Sequence, residues 1–218
     1  MILFSDAQKI IDQQIPASVR AQMSTVVRQG YILASETMKN AIMLEWELGR
    51  QYEGVLRNLA IAFLLHQKSK AEQLPFETSI ESTKNKSYKY IVLSTAQTKL
   101  TCSQVSNKHA IARPAYFRDK LQTINNQASA YFSDIDGLEP PEQAEQHYLL
   151  LTYSKGGNMP SFINIGFPHL WHERIDLLSE IHVVGQPTIE EEKEEVIKGD
   201  NLINFRQFAE EVEGSGGG

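Results

Sequence analysis

The chain is predicted to be an α+β protein: a helical N-terminal third, then a mainly antiparallel sheet, then an acidic C-terminal helix. Three observations predict this. Apolar residues recur at helical spacing as far as Leu74-Pro75, and short β-prone runs begin at Tyr88. Beyond Gln186 the composition turns strongly acidic before a last amphipathic stretch.

The elements follow in order. Ser5 and Gln8 fit a capping box that opens a helix through about Gln14. Pro16 suits the first turn of a second helix, with Val19, Met23, Val26 and Val27 on one face and Gly30 as its expected break. A third helix is expected from Ser35 to Leu48, placing Met38, Ile42 and Trp46 on a common stripe. A hydrophobic helix then runs to about Gln73, apolar all round at 60–65, and therefore central to the core. Leu74-Pro75 stops it, because the residue before a proline is pushed out of the helical region.

Tyr88–Thr95 and Thr98–Val105 read as two strands separated by Ala96-Gln97, a hairpin-length gap. Arg113-Pro114 opens a helix to about Ala128, with Phe117, Leu121 and Ile124 on its buried face. Ser133–Pro141 is a turn-rich loop. Two more strands, His147–Tyr153 and Ser161–Phe167, flank the turn Ser154-Lys155-Gly156-Gly157-Asn158-Met159, and Ile181–Gly185 is a possible further strand. The order is strand–strand–helix–strand–strand. Residues 1–75 are thus expected as a helical subdomain and 76–185 as an α+β subdomain. Residues 186–213 form an acidic segment, and 214–218 a flexible glycine-rich tail.

Composition excludes several function classes. A content of 41% hydrophobic and 22% charged residues belongs to a globular chain. Cys102 is the only cysteine, which excludes an intramolecular disulfide framework and points to a reducing, cytoplasmic setting. The start at Met1-Ile2-Leu3-Phe4 has no basic region of a secretory signal, and the longest apolar run is too short to cross a membrane.

Charge is segregated along the chain. Lys84, Lys86, Lys89, Lys99, Lys108, Arg113, Arg118 and Lys120 stand against one acid, Asp119, a net of +7 over residues 84–120. The remaining charge offsets this to the overall −6. A surface built from residues 82–118 presents cations with no carboxylate among them, and attracts phosphate, nucleic acid or an acidic protein.

The candidate ligand-binding residues are Lys84, Lys86, Lys99, Lys108, His109, Arg113, Arg118 and Lys120. Arg113 precedes a helix whose free N–H groups favour an anion, and its guanidinium bonds phosphate through two nitrogens. Tyr88, Tyr90, Tyr116 and Phe117 offer stacking faces for unpaired bases. Leu202, Phe205, Phe208 and Val212 line one side of the C-terminal helix, after an Asn201 cap, and are the candidate contacts for a protein partner. The acidic segment is also a candidate mask for the basic one.

Catalytic and metal motifs are incomplete. His169 and His172 form an i, i+3 pair with Glu173 and His182 as the nearest supplementary ligands, but no third ligand has diagnostic spacing, so no metal or cofactor is expected. Asp134-Ile135-Asp136-Gly137 starts like a calcium loop, and Glu139-Pro140-Pro141 breaks the pattern. Lys155-Gly156-Gly157 lacks the frame of a phosphate loop and reads as a hairpin turn. Cys102 has no evident base beside it. A nuclease would need carboxylates from outside the basic segment, such as Glu36, Glu45, Glu47, Glu53 or Asp134, or else His109 as a base beside Arg113 and Lys108.

The expected function is therefore a non-enzymatic regulatory or binding protein that engages a polyanion, foremost nucleic acid. The alternatives are an inhibitor or antitoxin-like interaction module that uses the C-terminal helix, and a phosphodiester hydrolase. In general appearance the layout resembles small regulatory proteins such as those of bacterial mobile elements, with no residue assignments attached.

Overall fold

The computed structural model describes residues 4–130 and 146–180. The acidic segment with Leu202, Phe205, Phe208 and Val212, the loop at 133–141 and the strand expected at 181–185 lie outside the described residues.

Helix α1 (Phe4–Gln14) presents Ala7 and Ile11 to the core, and Ile15 follows them there. After Pro16, α2 (Ala17–Asn40) buries Met23, Val26, Val27 and Tyr31. It does not break at Gly30. The glycine lies where α5 (Glu53–Lys70) crosses, and a Cβ there would sit 2.3 Å from Ile61 Cγ1. Its missing side chain serves close approach between helices rather than termination.

The helix expected from Ser35 to Leu48 is also divided differently. Its first part continues α2; two single turns follow, α3 (Ile42–Glu45) and α4 (Glu47–Arg50). Ile42 and Trp46 point to solvent, not into a packed stripe. Helix α5 ends at Lys70, a little before the expected stop, and buries Ala60, Ile61, Phe63 and Leu65.

Among the described residues the sheet has six strands in sequence order: β1 (Glu77–Ser82), β2 (Lys89–Ser94), β3 (Thr98–Val105), β4 (His147–Ser154), β5 (Ile163–Gly166) and β6 (Ile175–Asp176). The hairpins expected on either side of the intervening helix are present. Strand β1 is an addition: Glu-Thr-Ser-Ile-Glu-Ser has little to bury and pairs as an edge. A 3-10 segment, Pro168–Glu173, joins β5 to β6.

The sheet is mixed. β3 and β4 run parallel from Thr98↔His147 to Val105↔Ser154, while the other neighbouring pairs are antiparallel. The cause is α6 (Tyr116–Ala130), which separates β3 from β4 in the chain. Two parallel neighbours need a crossover, and a helix laid on the sheet supplies it.

Alternation along the strands assigns the two faces. Leu93, Leu100, Leu149, Leu151, Tyr153, Ile163 and Ile165 face α1, α2 and α5 and form the main core. The other face holds a smaller cluster of Val105, Ala112, Leu150, Phe162 and Trp171, together with α6. Every residue of β4 is buried, as expected for a strand covered on both faces.

Candidate nucleic-acid interface

Helix α6 determines where the basic segment falls. Its buried Asn125 donates from Nδ2 to the Tyr148 carbonyl at 2.9 Å and accepts the Tyr148 N–H on Oδ1 at 2.7 Å. Tyr148 lies beyond the stretch of β4 that β5 pairs, so the side-chain amide satisfies backbone groups that would otherwise be orphaned. At the opposite end of the helix, the Phe117 ring stacks on Tyr90 of β2 with centroids 3.9 Å apart. These contacts set the N-terminus of α6 beside the turn between β1 and β2.

An open depression of about 560 Å³ lies there, lined by Thr83, Lys84, Asn85, Ala115, Tyr116 and Phe117. Lys84 Nζ stands 5.4 Å over the centre of the Tyr116 ring. Tyr116 and Tyr88 are both more than half exposed. The turn carrying Lys84 and Lys86 is held in shape by Asn85 Oδ1, which accepts from Thr83 Oγ1 at 2.8 Å and Ser87 Oγ at 2.7 Å. Lys86 adopts a left-handed φ of 54° within it. This rim is cationic and aromatic.

The candidate residues divide into separate positions. Lys84 lines the depression, while Lys86, in the same turn, and Arg113, before α6, are exposed. Arg118 uses two donors within the chain, Nη1 to the Arg113 carbonyl at 2.7 Å and Nη2 to Ser103 Oγ at 3.4 Å. Its guanidinium lies 4.7 Å over the Phe117 ring, and burial lowers its pKa. Arg118 therefore braces α6 on β3. Lys120 is exposed one helical turn beyond Tyr116.

Lys108 and His109 sit over β5 instead. Asn164 Nδ2 donates to the Lys108 carbonyl at 2.9 Å, and the His109 Nδ1 atom is 3.0 Å from Arg174 Nη2. Lys99 is at the start of β3, the end away from Val105 and the α6 N-terminus. Arg174 has a place in this region that sequence spacing undervalued. Arg174 is distant in the chain from the basic run, whereas Tyr116 is among the aromatic faces the sequence offers and is exposed.

The other sequence candidates lie apart from the depression. The Cys102 thiol is pushed up to about 12 by burial, so its thiolate is scarcely populated at neutral pH. Gly156 and Gly157 have φ of 84° and 77° and turn β4 into β5, while Arg57 Nη2 donates to the Gly157 carbonyl at 3.0 Å. His169 packs edge-on against Phe167 at 5.7 Å, and burial lowers its pKa. His172 Nε2 is 3.7 Å from Glu173. Among the described residues, no three His, Cys, Asp or Glu side chains converge closely enough to hold a metal ion. No helix among them is long and apolar enough to cross a membrane.

Comparison of the chain with protein-family models, with curated proteins and with solved structures finds no match.

Proposed function

We propose that this is a binding protein for a polyanion, foremost single-stranded nucleic acid, which it engages at the depression between the β1–β2 turn and the N-terminus of α6. One observation carries the reading: Lys84 placed over the exposed Tyr116 ring at the mouth of that depression. A base stacks on the tyrosine face, and a phosphate meets Lys84, Lys86 and the N-terminal end of α6, where the Arg118 and Asp119 N–H groups already bond the Ala115 carbonyl. Arg113 extends the cationic track on the exposed side. Asp119, also exposed in the first turn, limits the local charge, so stacking contributes more than the charge alone.

This placement narrows the contact set. Lys84, Lys86, Arg113 and Lys120 serve the depression, with Tyr116 and Tyr88 as aromatic faces. Lys108 and His109 belong to a second cationic position with Arg174, which a longer strand would reach. The proposed activity is binding, and His109 adds to it through its contact with Arg174.

Fluorescence anisotropy with labelled single- and double-stranded oligonucleotides tests it, over about 50–200 mM salt, where phosphate contacts lose affinity steeply. Tight, salt-sensitive binding is expected, and Tyr116→Ala together with Lys84→Ala should weaken it at least tenfold, since stacking is worth about 1–3 kcal/mol per base. If neither the full chain nor a chain ending at Gly185 binds, the proposal fails. Binding unchanged by the double substitution would move the site away from the depression.

A further inference from the structure

Residues 42–55 expose an apolar surface that a monomer has little reason to keep. Ile42 is 88% exposed, Met43 74%, Trp46 64%, Val55 62%, and Leu48 and Tyr52 54% each. Helix α3 buries none of its side chains, and α4 buries only Gly49. A four-residue helix has no stability of its own in water, because nucleation costs more than one turn returns. Yet the two turns are clasped together: a Cβ on Gly49 would lie 2.3 Å from the Met43 carbonyl oxygen. The chain fixes this shape while leaving its large side chains outside.

We infer that residues 42–55 are the contact face of a homodimer. Area is the first reason. At about 150–250 Å² for each fully exposed large residue, those six fractions amount to roughly 800 Å². That is about what each partner buries in a standard stable interface. Composition agrees, since Trp, Tyr and Met are enriched at interfaces.

The rim supplies the second reason. Exposed Glu45 and Glu47 stand beside exposed Arg50 and Lys39. A two-fold axis brings a patch against itself, so a rim of one sign would repel, whereas a rim of both signs pairs with its own copy. The same glutamates disfavour an anionic membrane surface.

Sedimentation velocity of the full chain from low to high micromolar concentration tests this. A reversible monomer–dimer equilibrium is expected, and Ile42→Glu with Trp46→Glu should weaken it at least a hundredfold. Both side chains are solvent-exposed in the protomer, so its circular dichroism and melting at low concentration should be unchanged. A second readout uses the unmodified chain. Trp171 is buried and Trp46 exposed, so acrylamide quenching reports chiefly on Trp46 and should fall as concentration rises. A monomer at every concentration, a dimer indifferent to the paired substitutions, or quenching independent of concentration would each overturn the inference.

Discussion

Asn125→Ala is the sharpest test of how this fold positions its candidate site. The amide makes two hydrogen bonds to the backbone of Tyr148, at 2.7 and 2.9 Å, in a site only 1% exposed. Truncation leaves a buried N–H and a buried C=O without partners, at about 1–3 kcal/mol for each unsatisfied group. The expected loss is roughly 2–5 kcal/mol, a large part of the total for a domain with ordinary stability. With a urea m-value of about 2 kcal/mol/M, the unfolding midpoint should fall by about 1–2.5 M. Equilibrium urea unfolding followed by circular dichroism reads this directly. Asn125→Asp provides a control with a distinct signature. A neutral carboxyl can both donate and accept, but a carboxylate would face the Tyr148 carbonyl, so the folded state raises its pKa. Stability is then present at low pH and lost as pH rises. A midpoint within about 0.5 M of the parent for Asn125→Ala would refute the claim that this amide clamps α6 to β4.

Gly30→Ala should lower the melting temperature by several degrees in a thermal scan. Overpacking against Ile61 costs about 1–3 kcal/mol, more than the helix-propensity gain of at most about 1 kcal/mol; an unchanged or higher melting temperature would mean that α2 and α5 can separate freely. His147 is buried, and desolvation, followed by the neighbouring His169, lowers its pKa from 6.5. Its contribution to stability is present above that ordinary value and lost as pH falls through the depressed one. Unfolding free energies measured between neutral and mildly acidic pH should therefore decline, and His147→Phe should flatten part of that decline. Equal slopes in both proteins would show that other groups carry it.

The sequence by itself determined much of the local structure. Pro16 and the apolar spacing of Met23, Val26 and Val27 specify α2, whereas α5 ends at Lys70, before Pro75, where Glu72 takes a left-handed φ of 57°. The β-branched and aromatic runs at 88–105 and 147–167 specify strands, since their side chains fit a pleated half-buried surface. Charge segregation, and with it the sign of the proposed ligand, is also a property of sequence alone. These are short-range effects, written within a few residues.

Only the tertiary structure decided the rest. β3 and β4 are parallel because α6 returns across the sheet, a relation between segments dozens of residues apart. Gly30 looked like a helix end, yet it is a crossing point, because the partner helix is remote in the chain. Arg118 and Arg113 are similar in sequence, but one braces the fold and the other faces solvent. Ile42 and Trp46 have the spacing of a buried stripe and are exposed. Periodicity reports that a face is apolar, whereas packing alone decides whether this chain or another copy of it covers that face.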